Sequence, residues 1–164
     1  IWYINSKNGF MKSKNVFISH HGKDEEHIGK LKSLLESKGY QLKNSSIDST
    51  KPNDAHNKEY IKSLLRPRIE WAGTVICLIG DKTATREFVD WEVEHAAKEG
   101  KNIVGIFLHG ASDSDIPDSV NQYADSIVCW NSEKIINAIE EKGTFENSDG
   151  SSRSTFGSVP RETC

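Results

Sequence analysis

Thr85–Phe107, TREFVDWEVEHAAKEGKNIVGIF, runs from a helical pattern into a buried strand, and its reading decides the fold. Val89, Val93, Ala96 and Ala97 fall at i, i+4, i+7 and i+8, one apolar stripe of a helix. Phe88, Glu92, His95 and Glu99 form the neighbouring stripe, so Glu92 sits on the flank of the packed face. Thr85 is the candidate N-cap and Gly100 the candidate stop, followed by a strand over Asn102–Leu108. Spacing alone leaves Glu92 either a cleft carboxylate or a solvated one.

Outward from this stretch the chain alternates strand and helix. NVFIS at Asn15–Ser19 is a short apolar run typical of a buried strand and ends at His20, His21 and Gly22. Ile28, Leu31, Leu34 and Leu35 repeat with helical spacing up to Gly39, and Tyr40–Leu42 forms a second strand. A long polar loop, KNSSIDSTKPNDAHN, follows, longer than an ordinary strand-to-helix connection. A helix over Tyr60–Ile69 is expected to kink or end at Pro67. TVICLI at Thr74–Ile79 is the cleanest buried strand, and SIVCW at Ser126–Trp130 the last. HGASDSDIPDS, before that last strand, reads as a polar loop. A final helix covers about Ser132–Lys142.

Five strands with intervening helices predict an α/β domain of flavodoxin-like order 2-1-3-4-5, with a parallel sheet covered on both faces. Ligands of such sheets bind outside the carboxyl ends of the strands, where the order reverses. Here those ends are Ser19-His20-His21 and Gly80-Asp81-Lys82. Residues 14–142 are read as the domain. Residues 1–13, which precede or include the only methionine, Met11, are read as a leader outside the fold. Residues 143–164 are rich in Ser, Gly and Thr and are read as a disordered tail.

At 164 residues the chain suits one domain, and a formal charge of -3 with scattered Lys and Arg argues against a nucleic-acid footprint. No apolar run approaches the ~20 residues of a membrane span, and no signal peptide is visible, which predicts a cytoplasmic protein. Cys77, Cys129 and Cys164 are far apart and read as reduced thiols. No Cys/His spacing suggests a metal site, and no Gly-rich phosphate loop suggests a bound cofactor. A phosphoryl-accepting receiver would need paired acids after the first strand, whereas here that strand ends in Ser-His-His and only Asp81 after the third fits.

A single cleft carboxylate suits one reaction class. Cleaving the ribose–nicotinamide bond of NAD+ passes through an oxocarbenium-like state and releases a neutral group, so the second, acid carboxylate of ordinary glycosidases is dispensable. One carboxylate then stabilises the developing cation.

VFISHHGKDEEH, SIDST, VICLIGDKTATREFVDWEVEHAAKEGKNIVGI and SIVCW together resemble a bacterial TIR domain, of the TIR-like group that includes the Thoeris antiphage sensor proteins. The resemblance covers Lys14 to about Lys142. Its most specific part is LIGDKT followed by Phe88, three residues and Glu92. It implies an NAD+ nucleosidase or cyclase with Glu92 as the catalytic carboxylate. Phe88, where a tryptophan is more usual, would contact substrate together with Ser19, His20, His21 and, in the mobile loop, Asp48. It further implies self-association on activation and a cyclic ADP-ribose-type product read by a separate effector. The alternative is a non-enzymatic TIR interaction module that recruits a partner through the long loop.

Overall fold

The computed structural model describes residues 2–5, 9–20, 24–47, 57–86, 88–141, 143 and 145–151. Five parallel strands form the expected sheet: β2 (Gly9–Ser19), β3 (Tyr40–Asn44), β4 (Thr74–Ile79), β5 (Asn102–Phe107) and β6 (Ser126–Val128). β2 pairs with β3 on one side and β4 on the other, and β5 and β6 follow, which is the order 2-1-3-4-5. A sixth strand, β1 (Trp2–Asn5), pairs antiparallel with the start of β2. Lys12 is matched with Trp2 on one side and Tyr40 on the other, so β1 lies on the β4 side of β2.

Alternation within the strands builds two apolar layers. Phe17, Val75, Cys77, Ile79, Ile103, Phe107 and Ile127 face α2 (Lys58–Trp71), α3 (Val89–Lys98) and α4 (Asp118–Tyr123). Val16, Ile18, Ile76, Leu78, Val104, Ile106 and Val128 face α1 (Glu26–Glu36) and α5 (Ser132–Ile139). All six residues of β4 are buried, and so are all six of β5, as central strands covered on both faces require. Each fully buried aliphatic there is worth about 1.5–3 kcal/mol of transfer free energy.

Five local readings change. The leader boundary falls inside β2: Met11 is fully buried and residues 9–13 extend the strand, because the hydrogen-bonding edge they present is taken up by β1 and β3. α2 passes through Pro67 without ending, since Ile61, Leu65 and Ile69 are buried on either side of it and tertiary burial outweighs one lost ladder bond. The polar loop before β6 runs into α4, whose Val120 is fully buried beneath α3 and β5. The presumed tail is structured at least to Ser151: Phe145 bridges Ile127, and the buried Glu146 carboxylate accepts from the Cys129 N–H at 3.1 Å and from Lys134 Nζ at 2.6 Å. Residues 152–164 lie outside the described residues. Cys77 is a free, buried thiol, whereas Cys129 is in a disulfide, against the reading of all three cysteines as reduced.

Candidate functional site

The site lies where the strand order reverses, between the carboxyl ends of β2 and β4. Ser19 is the last residue of β2 and is matched with Cys77 of β4. By strand alternation it points to the same face as Phe17 and Cys77, toward α3. There its hydroxyl donates to Glu92 Oε2.

Glu92 is held from both ends. Its backbone N–H donates to the carbonyl of Phe88 at 2.8 Å, and its side chain, 1% exposed, is sealed against Ser19. Burial raises its carboxyl above the ordinary glutamate range, while the nearby Arg86 charge and the Ser19 hydroxyl pull it back down. A buried carboxylate reached by one hydroxyl and one guanidinium charge is an acid whose protonation its neighbours set. Cys77 shares this environment: burial pushes its thiol far up, and the Glu92 charge adds to the effect. It is therefore an inert thiol, not a nucleophile.

Phe88 is the N-cap residue of α3 and is 7% exposed, in the apolar layer that also holds Val89 and Val93. Thr85, the candidate N-cap, instead closes a 3-10 turn at Thr83–Thr85. That turn is pinned by Thr83 Oγ1, which accepts from the Gly80 N–H at 2.8 Å and donates to the Leu78 carbonyl at 3.2 Å. It sets the point at which the chain crosses from β4 to α3.

His20 goes the other way. Its ring Nδ1 stands 2.9 Å from the Ile18 carbonyl, and the residue lines a cavity of about 280 Å³ on the α1 side, with Ile28, Gly29, Asn44 and Ile47. Ser19 and His20 therefore serve opposite faces of the sheet. Only Ser19 and Phe88 among the predicted contacts stand with Glu92. His21 and Asp48 lie outside the described residues.

Three further residues belong to this end of the sheet. Asn44 Oδ1 accepts from the N–H groups of Ile18 and Ser46, which ties the end of β2 to the start of the long loop. Arg86 supplies the positive charge nearest Glu92 in effect. Asp24, just after the β2 loop, is buried, and its Oδ2 has no hydrogen-bond partner. It packs so close to Gly80 that a Cβ there would stand 3.3 Å from Oδ2. The acids of GKDEE were visible in the sequence, but nothing local marked Asp24 as the buried one. A larger cleft of about 620 Å³ lies at the opposite end of the sheet, and none of the predicted site residues lines it.

Comparison with known proteins agrees with this architecture. A conserved protein from Enterococcus faecalis V583 superposes with a TM-score of 0.54 at 10% identity, over 80% of this chain and 99% of that one. A CheY-like response regulator receiver domain from Methanospirillum hungatei JF-1 gives 0.50 at 20% identity, over 80% and 94%. A 2-deoxyribosyltransferase from Bacillus psychrosaccharolyticus gives 0.49 at 14% identity, over 75% and 90%. The first two likenesses speak to the fold alone, and the third carries no weight. No curated protein matches the chain. The family model for the Thoeris protein ThsB, TIR-like domain, matches residues 17–113, more than half of the chain and the whole path from β2 through α3 and β5. The chain belongs to the TIR-like domain family of the Thoeris protein ThsB.

Proposed function

We propose that the protein is an NAD+-consuming enzyme that cleaves the nicotinamide–ribose bond and forms a cyclic ADP-ribose-type signal in antiphage defence. The observation that carries the reading is the buried Glu92 carboxylate, held by Ser19 at the reversal point of the sheet in a member of the Thoeris TIR-like family. When the glycosidic bond breaks, its electron pair leaves with neutral nicotinamide and positive charge develops on the ribose. Glu92 in its ionised form faces that charge in a water-poor setting, where electrostatic stabilisation is strongest. Water attacking the ribose carbon gives ADP-ribose; an internal hydroxyl or adenine nitrogen gives a cyclic product. The Ser19 hydroxyl marks where a ribose hydroxyl would exchange onto the carboxylate.

A second reading is favoured by one observation: Glu92 is only 1% exposed, so the carboxylate is closed off in this conformation. A non-enzymatic TIR interaction module would have that arrangement permanently. A regulated enzyme would open it on assembly, with the loop of one copy completing its neighbour's site.

The deciding experiment is nicotinamide release from NAD+ by concentrated protein beside Glu92→Gln, with the nucleotide product separated by chromatography. Release that vanishes in the variant supports the enzyme, and the product's identity separates hydrolase from cyclase. No release, even with phage-infected lysate added, transfers the assignment to the interaction module. Full turnover at dilutions where the protein is monomeric would remove activation by assembly.

A further inference from the structure

Away from the site, where α2 and α3 reach their carboxyl ends, three side chains able to ligate a metal converge. Glu70 stands in the last turn of α2, while His95 and Glu99 stand one turn apart at the end of α3. One ligand atom from each lies within 4.8 Å of the other two. The i, i+4 spacing stacks His95 and Glu99 on one helix face, and the neighbouring helix supplies the third group from across the groove.

The imidazole is oriented by its surroundings. Its ring stacks on Trp91, one turn earlier, at 5.2 Å between centroids and 10° between planes. Trp91 is itself covered by Lys62 Nζ and the Arg66 guanidinium, 5.6 and 5.7 Å from the ring centroid. His95 Nε2 is thereby shielded from solvent, and it makes no hydrogen bond. The nearest Glu70 oxygen, at 3.7 Å, is too far for one. A ring nitrogen buried against two carboxylates without a bond is a cost the fold carries unless a cation sits among them.

We propose that Glu70, His95 and Glu99 form a zinc(II) site that clamps α2 to α3, with water in the fourth position. One imidazole and two carboxylates suit zinc, whereas calcium and magnesium prefer oxygen donors throughout. Tetrahedral zinc at ordinary bond lengths holds its ligand atoms about 3.4 Å apart, so the carboxylates must close in by about 1 Å. Glu70 and Glu99 are exposed and free to make that adjustment. The Lys101 ammonium, which donates to the Glu70 carbonyl at 2.7 Å, joins Lys62 and Arg66 as positive charge that opposes the ion and weakens its binding. The proposal does not depend on the NAD+ reading, because its three ligating residues are distinct from Glu92 and from the Ser19, Phe88 and Arg86 that surround it.

The test is calorimetric titration of the metal-free full chain with zinc(II), and optical titration with cobalt(II). The expected result is one zinc per chain and a tetrahedral cobalt band. His95→Ala should weaken zinc by more than about a hundredfold and Glu99→Gln by about tenfold. His27→Ala is the control, since His27 faces Glu26 at 3.8 Å with no third ligand beside it among the described residues, and it should leave binding unchanged. Zinc should also raise the melting temperature of the unaltered chain, and raise it less for Glu99→Gln at the same zinc concentration. If His95→Ala fails to fold by circular dichroism, Glu70→Gln and Glu99→Gln decide instead, both at exposed positions. No one-to-one binding, or equal zinc affinity with and without these side chains, would overturn the site.

Discussion

The hydroxyl of Ser19, at the end of β2, donates to the carboxylate of Glu92 on α3, 73 residues further along the chain. This bond reaches the candidate catalytic group from a strand, so it couples the end of β2 to the chemistry. Ser19→Ala removes it and leaves Glu92 more dependent on Arg86. The expected outcomes are a loss of about 1–3 kcal/mol in urea unfolding and an acid limb of the nicotinamide-release profile displaced to higher pH. A profile that keeps its position while stability falls would make Ser19 a purely structural partner.

Glu92→Gln should abolish nicotinamide release and also stabilise the fold at neutral pH. Burial raises the Glu92 carboxyl above its unfolded value, so its contribution to stability is fully present below the unfolded pKa, about 4.3, and is lost as pH rises through the folded one. Glutamine keeps an acceptor for Ser19 and has no charge to desolvate. Melting curves should show the variant above the parent at pH 7, with the gap closing toward pH 4. A constant gap would mean that the gain does not come from ionisation.

Gly80 and Gly29 should respond oppositely to alanine. A Cβ on Gly80 would stand 3.0 Å from Leu108 Cδ1 and 3.3 Å from Asp24 Oδ2, which should cost about 1–3 kcal/mol. Gly29, within α1, has no heavy atom within 4 Å of such a carbon, so Gly29→Ala should gain about 0.5–1 kcal/mol from helix propensity. Urea midpoints with unchanged slopes would report both.

Lys134→Ala removes the ammonium that pairs with the fully buried Glu146 carboxylate at 2.6 Å. Breaking a buried pair from one side costs about 3–5 kcal/mol. The same variant should expose residues 145–151 to limited proteolysis, because that ion pair holds them against β6.

The sheet was legible in the sequence because burial on both faces leaves a continuous apolar run, as in TVICLI, and because β4 and β5 needed no alternation to be seen. α4 was not legible: six residues make less than two turns, and Ile116 and Val120 alone cannot establish a period. Pro67 misled because its local penalty was visible, whereas the tertiary burial of Leu65 and Ile69 that outweighs it was not. The stripe containing Glu92 gave its direction correctly but not its depth, since the element that closes over it, the end of β2, is distant in sequence. Asp24 shows the same limit. Its burial comes from the side-chain-free face of Gly80, and no pattern around residue 24 encodes that approach. The trio proposed to ligate zinc escaped a search by spacing because one member, Glu70, arrives from another helix.

The bridge between Phe145 and Ile127 has a bearing on how copies of the chain can join. It occupies the outer side of β6, while β3 has no outer partner among the described residues. The parallel sheet is thus obstructed at one margin and open at the other. A second copy that extended the parallel sheet by backbone pairing would therefore meet β3 and not β6, and two copies meeting so would be related by a two-fold axis.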